Sequence, residues 1–248
     1  MRAERIRRLA RAFRRWPIHP QWLLTTSGED RDLDAALASL RGDVLDIGCA
    51  GRRLAARLPA GCTYVGLDYP DTASAMYRTR PDVFGDAGRL PFADRSFDAV
   101  LLKDVLEHLG EPDAALAEIA RVLRPGGRMI LWIPFIYPIH DAPYDFQRLT
   151  EHGVRRRVAA NAFDIETLKP VLAPIETAAL MFALASADAA ERIVADRRIA
   201  LPLVPVLAVF ILFANLAGKA LGWLPATRFM PASYRVMAIR RDARDSGR

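Results

Sequence analysis

The chain has 248 residues, 52% of them hydrophobic, and a formal net charge of +6. That is enough to bury the core of one α/β domain with an insertion or appendage. Two cysteines, Cys49 and Cys62, exclude a disulfide framework and suit a reducing cytosol. A secretory leader is not expected either, because no apolar run follows the basic start. Lysine stands only at 103, 169 and 219, so nearly all the positive charge is arginine. Such a balance reads either as a compositional bias of the genome or as attraction to anionic lipid or nucleic acid.

Residues 2–16 carry seven arginines, with Ile6, Leu9, Phe13 and Trp16 at helical spacing. The pattern predicts a basic amphipathic arm over 1–31, suited to a membrane surface or to packing on the domain. The plainer reading is a solvated arm with a few apolar anchors. His19 to Leu24 reads as an irregular link, and Asp32 to Leu40 as a helix. Val44-Leu45-Asp46-Ile47-Gly48-Cys49-Ala50-Gly51 is a short apolar strand that holds an acid and ends in a tight glycine turn. Arg52 to Leu58 reads as the helix after that turn, stopped before Pro59. Tyr64-Val65-Gly66-Leu67-Asp68 repeats the pattern of an apolar strand ending in an acid.

Pro81 argues against a helix over 78–83, and a short strand near Val83-Phe84 leads to Asp86. Asp98 to Lys103 is a continuous apolar strand of the kind buried on both faces. Pro112 suits a first helical turn, Leu116, Ile119 and Leu123 share one face, and Pro125-Gly126-Gly127 stops that helix. Arg128 to Phe135 is a fifth strand. Thr150 to Ala160 is a helix with Thr150 as N-cap, Phe163 to Leu168 a sixth strand, and Ser233 to Arg240 an alternating terminal strand. Strands alternating with helices predict a parallel sheet covered on both faces. The core then spans 32–174, with 233–248 supplying the last strand and a polar tail.

Residues 175–232 are not required by such a sheet. Ile199 to Gly218 is 20 residues without a charge, flanked by Arg197, Arg198 and Lys219, and its length is that of a membrane span. Pro202 and Pro205 would bend or delay a helix there. Thr177 to Ala187 is a second uncharged run, too short to cross. The strands on either side share one sheet, so the chain between them crosses an even number of times or not at all. A monotopic insertion into one leaflet at the cytoplasmic face is expected, with basic residues on anionic headgroups. The alternative is a helix buried in the domain or in a homo-oligomer interface.

Five motifs lie in order: the glycine turn, Gly66-Leu67-Asp68, Gly85-Asp86-Ala87, Leu90-Pro91-Phe92 with Ser96 to Val100, and Val105-Leu106-Glu107-His108-Leu109 followed by Arg121 to Gly127. Together they resemble the class I S-adenosylmethionine-dependent methyltransferases of type 11, over roughly residues 42 to 150. The resemblance implies a Rossmann-like seven-stranded α/β sheet, with the last strand antiparallel, and S-adenosyl-L-methionine as cofactor. It also implies that Gly48, Cys49, Ala50 and Gly51 pack against the cofactor's amino acid tail and that Asp46 helps hold its ammonium. By the same resemblance Asp68 takes the ribose hydroxyls, Tyr69 lies beside the adenine, Asp86 and Ala87 meet the adenine amino group, and Lys103 offers a backbone carbonyl. Ala50 departs from the family's usual glycine.

A nicotinamide oxidoreductase is excluded, because its G-x-G-x-x-G counted from Gly48 would need glycine at Ala50 and Arg53. The acceptor side is expected in the loop His140-Asp141-Ala142-Pro143-Tyr144-Asp145-Phe146-Gln147-Arg148, with His140 as base and Asp141, Tyr144, Asp145 and Arg148 around it. Glu107-His108 is the competing pair. For Asp145 and Arg148 the plainer reading is a pair that stiffens the loop. No metal site is indicated, since His19, His108, His140 and His152 are scattered and neither cysteine has a ligand-spaced partner. The basic charge comes with no recognisable nucleic-acid module, so no nucleic-acid partner is expected. The expected function is methyl transfer to an oxygen of a lipid, quinone-like molecule or lipid-linked glycan. The alternative is a catalytically silent binding subunit attached to the membrane.

Overall fold

The computed structural model describes residues 13–196 and 201–242. Seven strands form one sheet: β1 (Asp43–Ile47), β2 (Thr63–Asp68), β3 (Val83–Phe84), β4 (Phe97–Lys103), β5 (Leu123–Pro134), β6 (Phe163–Val171) and β7 (Ser233–Arg240). Their order is β3-β2-β1-β4-β5-β7-β6. β1 pairs in parallel with both β2 and β4, and β5 extends the parallel set beyond β4. The chain winds outward from β1 in two directions, so the switch point lies between β1 and β4, where ligands of open α/β sheets bind at the carboxyl ends. β7 runs antiparallel to β5. The fold is thus the expected Rossmann-like sheet with a reversed terminal strand.

Burial follows the sequence pattern. Val100, Leu101 and Leu102 of β4 are fully enclosed, as a central parallel strand covered on both faces requires. In β7 the alternate residues Tyr234, Val236 and Ala238 are the buried ones. The helices in order are α1 (Trp22–Thr25), α2 (Glu29–Ala38), α3 (Pro112–Val122), α4 (Glu151–Ala160), α5 (Pro174–Ala195) and α6 (Leu203–Leu221). Pro112 stands in the first turn of α3. The hydroxyl of Thr150 caps α4 by accepting the Gly153 amide at 3.2 Å.

Several local expectations need correction. Arg52 to Leu58 is not a helix but a single 3-10 turn, Ala55–Arg57. Arg52 has a left-handed φ of 56°, and Leu58, ahead of Pro59, is extended. His19 to Leu24 is not wholly irregular, because α1 begins at Trp22. Leu123 leaves the helix and opens β5, where it pairs with Phe97. A π-helical turn, Thr72–Tyr77, follows β2 and ends at Arg78 in the left-handed region. The uncharged run 177–187 lies inside a 22-residue helix. At a rise of ~1.5 Å per residue α5 is about 33 Å long, so length is no obstacle to crossing. What opposes it is the charge on Glu176, Asp188, Glu191 and Arg192.

The chain divides into two compact units, one of residues 1–32, 136–138 and 170–232, the other of 33–135, 139–169 and 233–248. The second holds nearly all of the sheet. In the first, α5 and α6 pack antiparallel. A Cβ on Gly218 would stand 2.7 Å from that of Ala179, so glycine sets the closeness of the two helices. Leu23 of α1 and Leu180 of α5 are fully buried beside Ala232. The buried Asn215 side chain donates to the carbonyls of Pro17 (2.6 Å) and His19 (2.9 Å), tying the segment before α1 to α6. Pro202 stands at the N-cap of α6 and Pro205 in its first turn, which is why the helix starts at Leu203. Residues 1–12 of the expected arm, and Arg197 and Arg198, lie outside the described residues.

Candidate active site

The glycine turn is built from the ends of β1 and β2. Gly48 has φ 71°, and a Cβ there would come within 2.3 Å of Val105 Cγ2. Glycine is therefore needed both for the left-handed backbone and for space. The amides of Gly48 and Cys49 both donate to the Leu67 carbonyl, at 2.8 and 3.2 Å. Ala50, where the family usually has glycine, adopts φ 42°. Its amide donates to Asp68 Oδ2 at 2.9 Å, which compensates that conformation. Among the described residues, nothing beyond its two chain neighbours lies within 4 Å of where a Cβ would stand on Gly51, so that backbone can be approached closely.

Asp68 is buried at the carboxyl end of β2. Its Oδ1 accepts the Tyr69 amide at 2.8 Å and the Thr72 hydroxyl at 3.1 Å. Counting the Ala50 bond, three of about four acceptor positions on the carboxylate are used, and the one left is on Oδ2. Tyr69 is exposed at the rim. Asp86 is exposed and holds the Gly88 amide at 2.8 Å through one oxygen, with Ala87 buried beside it. Lys103 closes β4 with its ammonium engaged by Asp104.

Asp46 lies beneath the turn rather than on its surface. It is buried and accepts the Tyr64 hydroxyl at 2.7 Å. Burial raises its pKa to about 7, against the lowering effect of that hydrogen bond. Burial likewise lifts the Cys49 thiol to about 12, with the Asp46 and Asp68 charges adding to it. Gly66 leaves the room these groups occupy: a Cβ there would meet Cys49 Sγ at 2.8 Å and the Tyr64 oxygen at 3.1 Å. A glycine turn with open backbone, a carboxylate with a remaining acceptor and an exposed aromatic rim fit a nucleoside bearing a charged tail.

Val105, packed on Gly48, leads into the 3-10 turn Leu106–His108. This turn meets the loop after β5. The Gln147 side-chain amide donates to the carbonyls of Leu106 (2.8 Å) and Leu109 (3.2 Å), and the Phe146 amide to that of Glu107 (3.0 Å). The result places His108 and His140 edge to face, ring centroids 4.8 Å apart. Glu107 is fully buried, with Oε1 3.8 Å from His108 Nε2 and 3.7 Å from His140 Nε2. His108 Nδ1 lies 2.7 Å from the Tyr144 carbonyl, a contact that fixes the proton on Nδ1.

Asp145 accepts the His140 amide at 2.9 Å and grips Arg148 through both oxygens. The Arg148 hydrogen bonds hold its carboxyl down at about 2. Asp141 accepts instead from the Tyr77 hydroxyl.

The expected acceptor residues thus divide. His108 and His140 come together, Asp145 and Arg148 fix the loop, Tyr144 contributes its carbonyl, and Asp141 pairs with the turn after β2. Glu107, Gln147, Tyr64 and Tyr77 matter more than their sequence positions suggest. Of these Glu107 carried a signal, as the acid paired with His108 after the fourth strand.

A family described as a methyltransferase domain matches residues 45–131. A demethylmenaquinone methyltransferase of Mycobacterium sp. (strain KMS) is 42% identical over 105 residues, 41% of this chain and 46% of that protein. A fatty-acid O-methyltransferase of Mycolicibacterium smegmatis is 33% identical over 149 residues, 54% of this chain and 52% of that one. The chain spans about half the length of these curated relatives. Among solved structures, the [4+2]-cyclase SpnF is 22% identical with a TM-score of 0.55, covering 86% of this chain and 80% of its own. That likeness concerns the fold alone, which hosts more than one chemistry. Residues 45–131 thus match a methyltransferase domain, and the strand order and the glycine turn with its acids are similar to those of the class I S-adenosylmethionine-dependent methyltransferases, whose cofactor is S-adenosyl-L-methionine.

Proposed function

We propose that the protein transfers a methyl group from S-adenosyl-L-methionine to an oxygen of a lipid, quinone-like or lipid-linked glycan acceptor at the cytoplasmic face of a membrane. The observation that carries the reaction is the group Glu107, His108 and His140, two and three residues beyond the Val105 side chain that packs on Gly48, with His140 folded in from the loop after β5. Bound, the cofactor supplies an electrophilic methyl on a sulfonium. The chain's own work is to hold the acceptor oxygen in line with it and to manage that oxygen's proton. Asp68 holds the ribose through its remaining acceptor, the glycine turn admits the tail, and Asp145 with Arg148 keeps the acceptor loop rigid.

Support for an apolar acceptor comes from α6. This helix is long and apolar enough to cross a membrane, yet most of it is exposed on the chain. Val206, Phe210, Phe213 and Leu216 form an outward stripe, Phe213 being 66% exposed. One relative is named for a quinone acceptor and the other for a fatty acid. β6 and β7 belong to one sheet, so the helices between them return to the side they left. With its charged residues, α5 is unsuited to the hydrocarbon, and the pair lies in one leaflet. The test is methyl transfer from labelled cofactor to fractionated membrane lipids and glycolipids. Labelled lipid product supports the reading. Cofactor binding without label in any lipid fraction removes the acceptor assignment, and no cofactor binding removes the whole of it.

A further inference from the structure

We propose that Glu107, His108 and His140 bind a divalent transition-metal ion. Among the described residues they are the one group whose ligand atoms converge, all lying within 4.8 Å of one another. With metal–nitrogen and metal–oxygen bonds of ~2.1 Å, neighbouring ligand atoms in tetrahedral or octahedral sites stand ~3.0–3.4 Å apart. The separations of 3.7 and 3.8 Å from Glu107 Oε1 to the two Nε2 atoms are close to that span, and the side chains must move inward to bring the whole group, now within 4.8 Å, into it.

Two further observations point to a cation. Both carboxylate oxygens of Glu107 are buried and accept no hydrogen bond among the described residues, which is costly for an acid enclosed by the core. A metal ion between the carboxylate and the imidazoles satisfies it. The second is how the imidazoles are held. His108 Nδ1 faces the Tyr144 carbonyl at 2.7 Å. His140 Nδ1 faces Asp145 Oδ2 at 3.4 Å, slightly nearer than Arg148 Nη2 at 3.5 Å. His108 thus has Nδ1 held by a protein oxygen and Nε2 turned toward Glu107, the outer-shell arrangement that orients metal-bound histidines, while His140 Nδ1 stands between a carboxylate and a guanidinium with its Nε2 likewise toward Glu107.

Two imidazole nitrogens and one carboxylate favour zinc, manganese, iron or cobalt over magnesium or calcium, which prefer oxygen ligands throughout. Three protein ligands leave coordination positions open. On the methyltransferase reading, an acceptor hydroxyl bound there would lose its proton to solvent near neutral pH, and the alkoxide or phenolate oxygen would form its bond to the methyl carbon as the carbon–sulfur bond breaks. Metal binding itself does not depend on that reading.

The experiment uses the full chain, stripped with a chelator and titrated with Zn2+ by calorimetry and with Co2+ by visible absorption, alone and with S-adenosyl-L-methionine. The expected result is one ion per chain, with histidine-type cobalt bands. Affinity should fall at least ~30-fold in both Glu107→Gln and His140→Ala and stay unchanged in His152→Ala, which alters an exposed histidine. Circular dichroism and cofactor affinity report whether each variant folds, and His108→Gln provides a second ligand change should Glu107→Gln unfold. Absence of stoichiometric binding to the native chain, or equal loss in His152→Ala, overturns the proposal. Stoichiometric, His140-dependent binding without methyl transfer upholds the metal site and sinks the methyltransferase assignment. Methyl transfer that survives chelation in a chain that binds no metal does the reverse.

Discussion

Glu107 Oε1 and His140 Nε2 stand 3.7 Å apart, although one follows β4 and the other lies in the loop after β5. On the proposed function the contact belongs to the acceptor side, since neither residue is among those that frame the glycine turn. His140→Ala should therefore lower turnover by about 10²–10⁴-fold while cofactor affinity changes less than about twofold. Steady-state rates with calorimetry on the same preparation check this. Full activity in the variant would remove His140 from the mechanism.

On the proposed function Asp68 both shapes the turn and holds the ribose, two duties that mutation can separate. Asp68→Ala should weaken S-adenosyl-L-methionine binding by about 10–100-fold, in line with ~1.5–3 kcal/mol for hydrogen bonds to a charged group. Thr72→Val removes only one brace, the 3.1 Å bond to Oδ1, and should cost less than about fivefold. Equal losses in the two variants would mean that Asp68 shapes the turn and does not touch the ribose.

Asp46 makes stability depend on pH in a direction unusual for a carboxylate. Its pKa in the fold, about 7, lies above the usual value of 3.8. Between these values the folded chain binds more protons than the unfolded chain, so this group's contribution to stability falls as pH rises from about 4 to about 7 and is level beyond. Asp46→Asn keeps an acceptor for the Tyr64 hydroxyl and removes the titration. The variant should gain roughly 1–3 kcal/mol relative to the native chain between pH 4 and pH 8. Urea unfolding at the two pH values measures it, and a constant difference would refute the assignment.

Asn215 is a buried amide in the middle of an apolar helix, and it holds two backbone carbonyls. Asn215→Leu leaves both without that donor and should destabilise the helical unit by about 1–3 kcal/mol. Limited proteolysis should then cut first near residues 17–21. A cleavage pattern like that of the native chain would show that the two hydrogen bonds are dispensable.

Placing charge on the outward stripe of α6 tests the proposed membrane contact without disturbing the sheet. Phe210→Glu with Phe213→Glu should abolish sedimentation with anionic vesicles and leave cofactor affinity intact. Binding that persists in the double variant, or native protein that never sediments, would place some other partner on this face.

Much of the architecture was legible in the amino-acid order because its causes are local. The apolar run of β4 and the alternation of β7 mark strands by their period, and the glycine turn was readable because few residues other than glycine adopt the backbone seen at Gly48. The same local reasoning failed at Arg52 to Leu58, where helical spacing was overruled by the left-handed Arg52 and the extension imposed ahead of Pro59. It also failed for the extent of α5, since the charges beyond Ala187 end an apolar run without ending a helix. The cluster of Glu107, His108 and His140 could not be read at all from histidine spacing. It exists because β4 and β5 pair in parallel, Lys103 beside Trp132, so that the segments leaving their carboxyl ends meet and Gln147 fastens one to the other. Likewise, Asp46 meets the Tyr64 hydroxyl only because β1 and β2 are neighbours in the sheet. Strand identity follows from the order of residues along the chain, whereas proximity between segments follows from strand pairing, which local periodicity does not encode.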